Sequence, residues 1–207
     1  GVFYLPPTGW LTSFYNPPSD LILIGDDKMQ IRKATQKDLD TILEILRDGR
    51  NQLAERGVDQ WQGDYPNAQH IQEDIDNGYS YLVKSDDGMT VGAVAIVNSP
   101  DHVYDHINGE WLINTTNYVT IHRVAIHSSH AGKGYASKLF ISVIDYLEKH
   151  RPDVESIRLS TNENNLVMQH IAEKNGFQKV GTMPGAYRPE ELSYVYELLT
   201  KTHALAG

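Results

Sequence analysis

The chain has 207 residues, 40% of them apolar and 22% charged, enough to bury a core of its own and consistent with one globular domain carrying an appendage. It contains no cysteine, which excludes disulfide frameworks, thiolate metal sites and cysteine nucleophiles. With 27 acidic against 18 basic residues the formal charge is −9, which argues against general nucleic-acid binding, so any anionic ligand must meet locally supplied donors.

Residues Gly1–Lys28 stand apart: Pro6-Pro7 and Pro17-Pro18 punctuate five aromatics, and only Leu21–Ile24 reads as strand. The first methionine is Met29, so residues 1–28 read either as a leader ahead of it or as an extension packing its aromatics on the domain of residues 29–207. No basic residue precedes Lys28, and no apolar run approaches the roughly 20 residues of a bilayer span, so no signal peptide or membrane partner is expected and a cytoplasmic location is.

From Gln30 the pattern becomes regular. A short strand, Gln30–Ala34, leads through Thr35 as a cap into a helix whose Leu39, Ile42, Leu43 and Leu46 form one stripe. A second helix, Ala68–Asp76, has Asn67 as its cap and Asn77-Gly78 as its stop. Strands Ser80–Lys84 and Thr90–Val97 are joined by Asp86-Asp87-Gly88, a hairpin signal that makes them antiparallel. The polar connection Asn98–Asn117 is long enough to suggest function, and strand Val119–Ile126 follows it.

Helix Tyr135–His150 has the strongest pattern, with Tyr135, Leu139, Val143 and Leu147 on one side and Pro152 beyond its end. Strand Ser156–Ser160, helix Asn165–Asn175 closed by Gly176, and strands Gln178–Thr182 and Ser193–Leu199 complete an α/β (α+β) domain with a mixed sheet.

The chemistry-bearing stretch lies between Val119 and Ser137. Gly132-Lys133-Gly134 opens the strong helix, where first-turn N–H groups and the helix dipole make an anion cradle. The NTPase loop G-x-x-x-x-G-K-[ST] is absent, because Lys133 lies between the glycines, and G-x-G-x-x-G fails at Tyr135-Ala136-Ser137.

The order strand, Ala-Gly-Lys-Gly-Tyr-Ala, helix, strand, Asn-bearing helix start, Lys-Asn-Gly-Phe resembles the GNAT superfamily of acyl-CoA-dependent N-acyltransferases over about Met29–Thr200. The resemblance implies a mainly antiparallel central sheet flanked by helices, with central strands splayed into a slot for acetyl-CoA. It implies transfer of acetyl to a primary amine of a small molecule or peptide in a ternary complex. In the family pattern [Q/R]-x-x-G-x-[G/A], Ala131 takes the Gln/Arg place, while Gly134 and Ala136 match. Main-chain N–H groups from Gly132 through Lys133, Gly134 and Tyr135 to Ala136, with Ser137 nearby, are then expected to hold the diphosphate. Val124, Ala125 and Ile126 are expected to pair with the pantetheine arm.

A second family pattern, N-x-x-A-x-x-L-Y-x-K-x-G-F, is met by Asn165, Lys174, Gly176 and Phe177, while Ala172 stands at its tyrosine, which leaves that proton-donor role vacant. Asn165 is either a pantetheine ligand or a helix cap, and Asn162 is a candidate of the same type. The departures at Ala131 and Ala172 keep open a non-catalytic acyl-CoA-binding or regulatory module on the same fold. Dimerisation is common in the family.

An amine with a lysine-like pKa near 10.4 is neutral in only about one molecule in 2,500 at pH 7, so its attack on a thioester calls for a base. His122 on the central strand is the leading candidate, with a structural histidine as the competing reading; strand alternation puts it on the face of Val124, opposite Ile121 and Arg123. Glu110 in the long connection is the alternative base, and Tyr187 is a possible hydroxyl from the last strand connection. Neither the pair His102 and His106, with Asp105 between them, nor the pair His127 and His130 has a clear third ligand, so no metal is expected. Trp61 either walls the acceptor or plugs the core.

Overall fold

The computed structural model describes residues 28–201. The strand expected at Leu21–Ile24 and nearly all of the proposed leader lie outside the described residues.

Among the described residues, four α-helices and seven of eight strands follow the predicted order; the eighth, a two-residue strand, lies inside the stretch read as a polar connection. Strand β1 (Gln30–Lys33) leads through a 3₁₀ turn into helix α1 (Leu39–Glu55), which runs nine residues past the stripe read from sequence. Helix α2 (Ala68–Asp76) starts where expected, the Asn67 side chain accepting from the N–H groups of Gln69 and His70. Then come β2 (Ser80–Lys84), β3 (Thr90–Asn98), the two-residue β4 (Asn108–Gly109), β5 (Tyr118–Ile126), α3 (Tyr135–His150), β6 (Ser156–Asn162), α4 (Leu166–Lys174), β7 (Gln178–Pro184) and β8 (Leu192–Leu199).

The sheet order is β1-β2-β3-β5-β6-β8-β7-β4, and among the described residues its only parallel pair is β5 with β6. Both faces are covered, which explains why β2 and β3 read as near-continuous apolar runs. On one face Leu139, Phe140, Val143 and Leu147 of α3 meet Val94, Ile96, Val119, Ile121 and Leu159. On the other, Ile42, Ile45 and Leu46 of α1 and Ile71 of α2 meet Leu82 and Ala93. At about 25 cal/mol per Å² of buried apolar surface, these two layers are the main source of stability. A small third cluster, Tyr104, Met183 and Val195, packs the long connection against β7 and β8.

Among the described residues, no helix is long and apolar enough to cross a membrane, and no group of three or more His, Asp or Glu side chains is placed to hold a metal ion.

Candidate active site

The two central strands part company in mid-sheet. Parallel pairing of β5 with β6 runs from Tyr118 opposite Ser156 to Ile121 opposite Leu159 and then ends. Beyond that point β5 follows β3 to Ile126, while β6 follows β8 to Asn162. The fork opens into a cleft of about 450 Å³, walled by β5, α1, α3, the start of α4, and the α1–α2 and β7–β8 connections.

A β-bulge drives this divergence. Ala93 faces Ala125 but Ala95 faces His122, so Arg123 and Val124 together oppose Val94, and the extra residue bends and twists the strand. Arg123 adopts φ +46°. It is pinned there by Asp74 of α2, with Nε to Oδ2 at 2.5 Å and Nη2 to Oδ1 at 2.7 Å, and Nη1 donates to the Tyr65 hydroxyl at 2.7 Å. Burial works against the guanidinium charge, but Tyr65 and Asp74 outweigh it and hold the Arg123 pKa above its ordinary value.

The bulge also corrects the expected alternation. Val124 and Ile126 pack with Ile121 on the α3 face, whereas His122 points to the opposite side, toward Asp101, so His122 and Val124 do not share a face. Inserting one residue into a period-two pattern reverses every side chain after it.

His122 is nearly enclosed, and its Nε2 lies 2.6 Å from Oδ2 of Asp101, which also accepts from Thr120 Oγ1 at 2.6 Å. Burial raises the Asp101 carboxyl, yet the His122 and Thr120 bonds overcome it and leave its pKa below the usual carboxylate range. A carboxylate accepting from Nε2–H fixes the tautomer that leaves Nδ1 as the acceptor nitrogen. Asp101 has no motif in the sequence; its one signal is its place in the long connection after β3.

At the cleft's other end the chain turns from β5 into α3. Gly132 and Gly134 have φ +78° and +70°, and a Cβ on either would meet nothing within 4 Å, so the main chain is open to approach. The first helical bond recorded there runs from Lys138 N–H to Gly134 O, so the N–H groups of Tyr135, Ala136 and Ser137 have no carbonyl one turn before them. Helix α1 holds this loop: Asp48 accepts from Ser128 N–H at 2.7 Å and Ser128 Oγ at 2.5 Å, and Gln52 donates to Ile126 O at 2.9 Å. Burial opposes the Asp48 charge, and the bonds from Ser128 and Gln52 override it, lowering its pKa. Ala131 and Lys133 are exposed, the Lys133 ammonium lies 5.8 Å from the Tyr135 ring centre, and Ala136 lines the cleft.

Asn162 and Asn165 both line the cleft, and both already serve the fold. Asn165 caps α4 by accepting from Met168 N–H at 3.2 Å, and Asn162 Oδ1 accepts from Asn164 N–H at 2.9 Å. Ala172 is fully buried in the core. Tyr187 stands in the cleft wall, its hydroxyl 3.4 Å from Ser160 Oγ and its ring centre 5.1 Å from that of Tyr65. Burial, with Tyr65 adding to it, pushes the Tyr187 pKa well up. Trp61 packs against the α1–α2 core and also lines the cleft. Glu110 does not reach the cleft: it is exposed and follows β4 at the far edge of the sheet, where the β4–β7 pairing carries it.

Comparison with known proteins agrees with this geometry. The family model described as the acetyltransferase (GNAT) family matches residues 40–177. A GNAT family acetyltransferase from Streptococcus agalactiae is 34% identical, with a TM-score of 0.73 over 83% of this chain and 95% of that one. One from Listeria monocytogenes is 21% identical, with a TM-score of 0.63 over 83% and 94%. A spermidine N-acetyltransferase from Vibrio cholerae, solved with CoA and spermine, shares the fold at 16% identity, with a TM-score of 0.61 over 86% and 98%. No curated protein matches the chain. The family match over two thirds of the chain, joined to a forked sheet whose cleft runs from His122 to the open start of α3, places this protein in the GNAT acetyltransferase family.

Proposed function

We propose that the chain moves an acetyl group from acetyl-CoA to a primary amine of a small molecule or peptide by direct attack, with both substrates held in the forked cleft. The observation that carries this reading is the end of β5–β6 pairing at Ile121 and Leu159 beside the His122–Asp101 pair.

The residues at the α3 corner suit a diphosphate: open glycine main chain at Gly132 and Gly134, three helix-start N–H groups, and the ammonium of Lys133. Acetyl-CoA brings the activated acyl carbon as a thioester. His122 takes the proton from the attacking amine at Nδ1, while Asp101 holds the ring and offsets the imidazolium charge. Without a base, deprotonating such an amine at pH 7 costs about 4 to 5 kcal/mol. Beyond Ile121, where β6 has left β5, a main-chain N–H of β5 near Val124 supports the carbonyl oxygen. Helix α4 offers no hydroxyl, Ala172 being core. Tyr187 keeps its proton and donates a hydrogen bond to the departing sulfur, which leaves as a thiolate, since a thiol pKa near 8.5 does not demand an enzymic acid.

The test is steady-state assay of His122→Ala with acetyl-CoA and a panel of amines. The expected loss in kcat is about 100- to 10,000-fold. Unchanged turnover removes His122 from the mechanism, and CoA binding by the unaltered chain without turnover on any amine favours a non-catalytic carrier-binding module.

A further inference from the structure

The connection between α1 and α2 crosses the open side of the cleft and is fastened on both banks. Gln62 Nε2 donates to Arg50 O at 3.0 Å on the α1 side, and Arg188 Nη2 of the β7–β8 connection lies 3.4 Å from both the backbone oxygen and the carboxylate of Asp59. Between them, the side-chain carbonyl of Gln60 reaches the opposite wall and meets three donors at once. These are Thr161 Oγ1 at 3.2 Å, Asn162 N–H at 3.3 Å and the Asn165 amide nitrogen at 3.0 Å.

One carbonyl oxygen has two lone pairs, and while the Asn165 bond at 3.0 Å is of ordinary length, the Asn162 N–H at 3.3 Å and the Thr161 hydroxyl at 3.2 Å lie beyond the usual ranges for N–H···O and O–H···O. Three donors therefore share an acceptor that satisfies Asn165 and leaves Thr161 and Asn162 poorly bonded. They cluster here because β6, once β5 has left it at Leu159, presents a free edge to the cleft through Asn162. A free edge of this kind is what an extended chain bearing amide carbonyls pairs with.

We propose that Gln60 is a placeholder for the acyl carrier: its amide carbonyl occupies the Thr161, Asn162 and Asn165 donors until an amide of the extended carrier arm displaces it. This rests on the acetyl-CoA reading above. Displacement releases the segment that contains Trp61 and Tyr65, both lining the cleft and Tyr65 bonded to Arg123. Trp61 holds φ +65°, a left-handed backbone that a bulky residue keeps only when neighbours impose it.

The experiment uses the full chain and coenzyme A as the probe, with the variant Gln60→Met, which keeps the length of the side chain and removes its carbonyl. A latch closed in nine molecules of ten weakens apparent affinity tenfold, so calorimetry is expected to show the variant binding coenzyme A about 10-fold tighter than the unaltered chain. Equal or weaker binding by the variant overturns the proposal. Hydrogen exchange on the unaltered chain needs no variant: amides of residues 58–64 are expected to exchange faster with coenzyme A bound, and unchanged or slower exchange overturns the proposal. If the unaltered chain fails to bind coenzyme A, the carrier reading falls and this one with it. Tight binding with residues 58–64 unmoved rejects the placeholder alone.

Discussion

Asp101 and His122 are 21 positions apart in sequence, yet the carboxylate Oδ2 of one lies 2.6 Å from the ring Nε2 of the other. Two elements create the pair: β5 carries the histidine to the fork, and the turn after β3 brings back an aspartate already gripped by Thr120.

Replacing Asp101 with asparagine is expected to lower kcat about 10- to 100-fold and leave the KM for acetyl-CoA within twofold, because the ring loses its orienting charge while the carrier site is untouched. The same variant tests a linkage. A carboxyl whose folded pKa is depressed stabilises the fold above its unfolded value near 3.9, and that stability is lost as pH falls through the folded value. Melting curves below about pH 4 should therefore fall more steeply for the unaltered chain than for Asp101→Asn.

Asp48 anchors the loop ahead of α3 through two bonds to Ser128. Its replacement by alanine is expected to cost about 1.5 to 3 kcal/mol of stability, as charge-assisted bonds do, and to raise the KM for acetyl-CoA severalfold with little change in kcat. Chemical denaturation and initial-rate kinetics measure the two effects separately.

Gly134 caps α3 with φ +70° and open space around its missing side chain. Alanine there pays only the left-handed backbone penalty, about 1 to 2 kcal/mol, or roughly 2 to 8 °C in a chain of this size. Asparagine, which tolerates that conformation, should cost less. Differential scanning calorimetry checks the order Gly, Asn, Ala.

The buried pair of Arg123 and Asp74 holds the bulge to α2. Asp74→Ala strands a buried guanidinium and is expected to cost about 3 to 5 kcal/mol, whereas the double variant Asp74→Leu with Arg123→Leu should recover more than half of that loss. Denaturant midpoints for the two variants decide it, and a double variant no better than the single one would show that the pair is not what holds the bulge.

Much of this was legible along the chain. Helix Tyr135–His150 and strand Ser80–Lys84 have the limits their apolar patterns gave, and Asn67 and Gly88 sit at the cap and turn that their chemistry favours. The open loop at Gly132 and Gly134 was readable for the same reason: glycine before a helix is a local signal. What failed was anything needing register. The facing of His122 relative to Val124 is not legible in the sequence because a bulge leaves no compositional mark, and Glu110, although next to Trp111, follows β4 to the outer edge of the sheet.

The amino-acid order alone settled most of the elements, the glycine-flanked helix start and the family, since each depends on residues within one or two turns of each other or on their order along the chain. Tertiary structure alone decided where β5 leaves β6, which carboxylate meets His122, and that Gln60 lies across the cleft on Asn162 and Asn165. Those are contacts between segments 21 to 105 residues apart, and only the packing of helices on both faces of one sheet brings such distant polar atoms within 3 Å or so of each other.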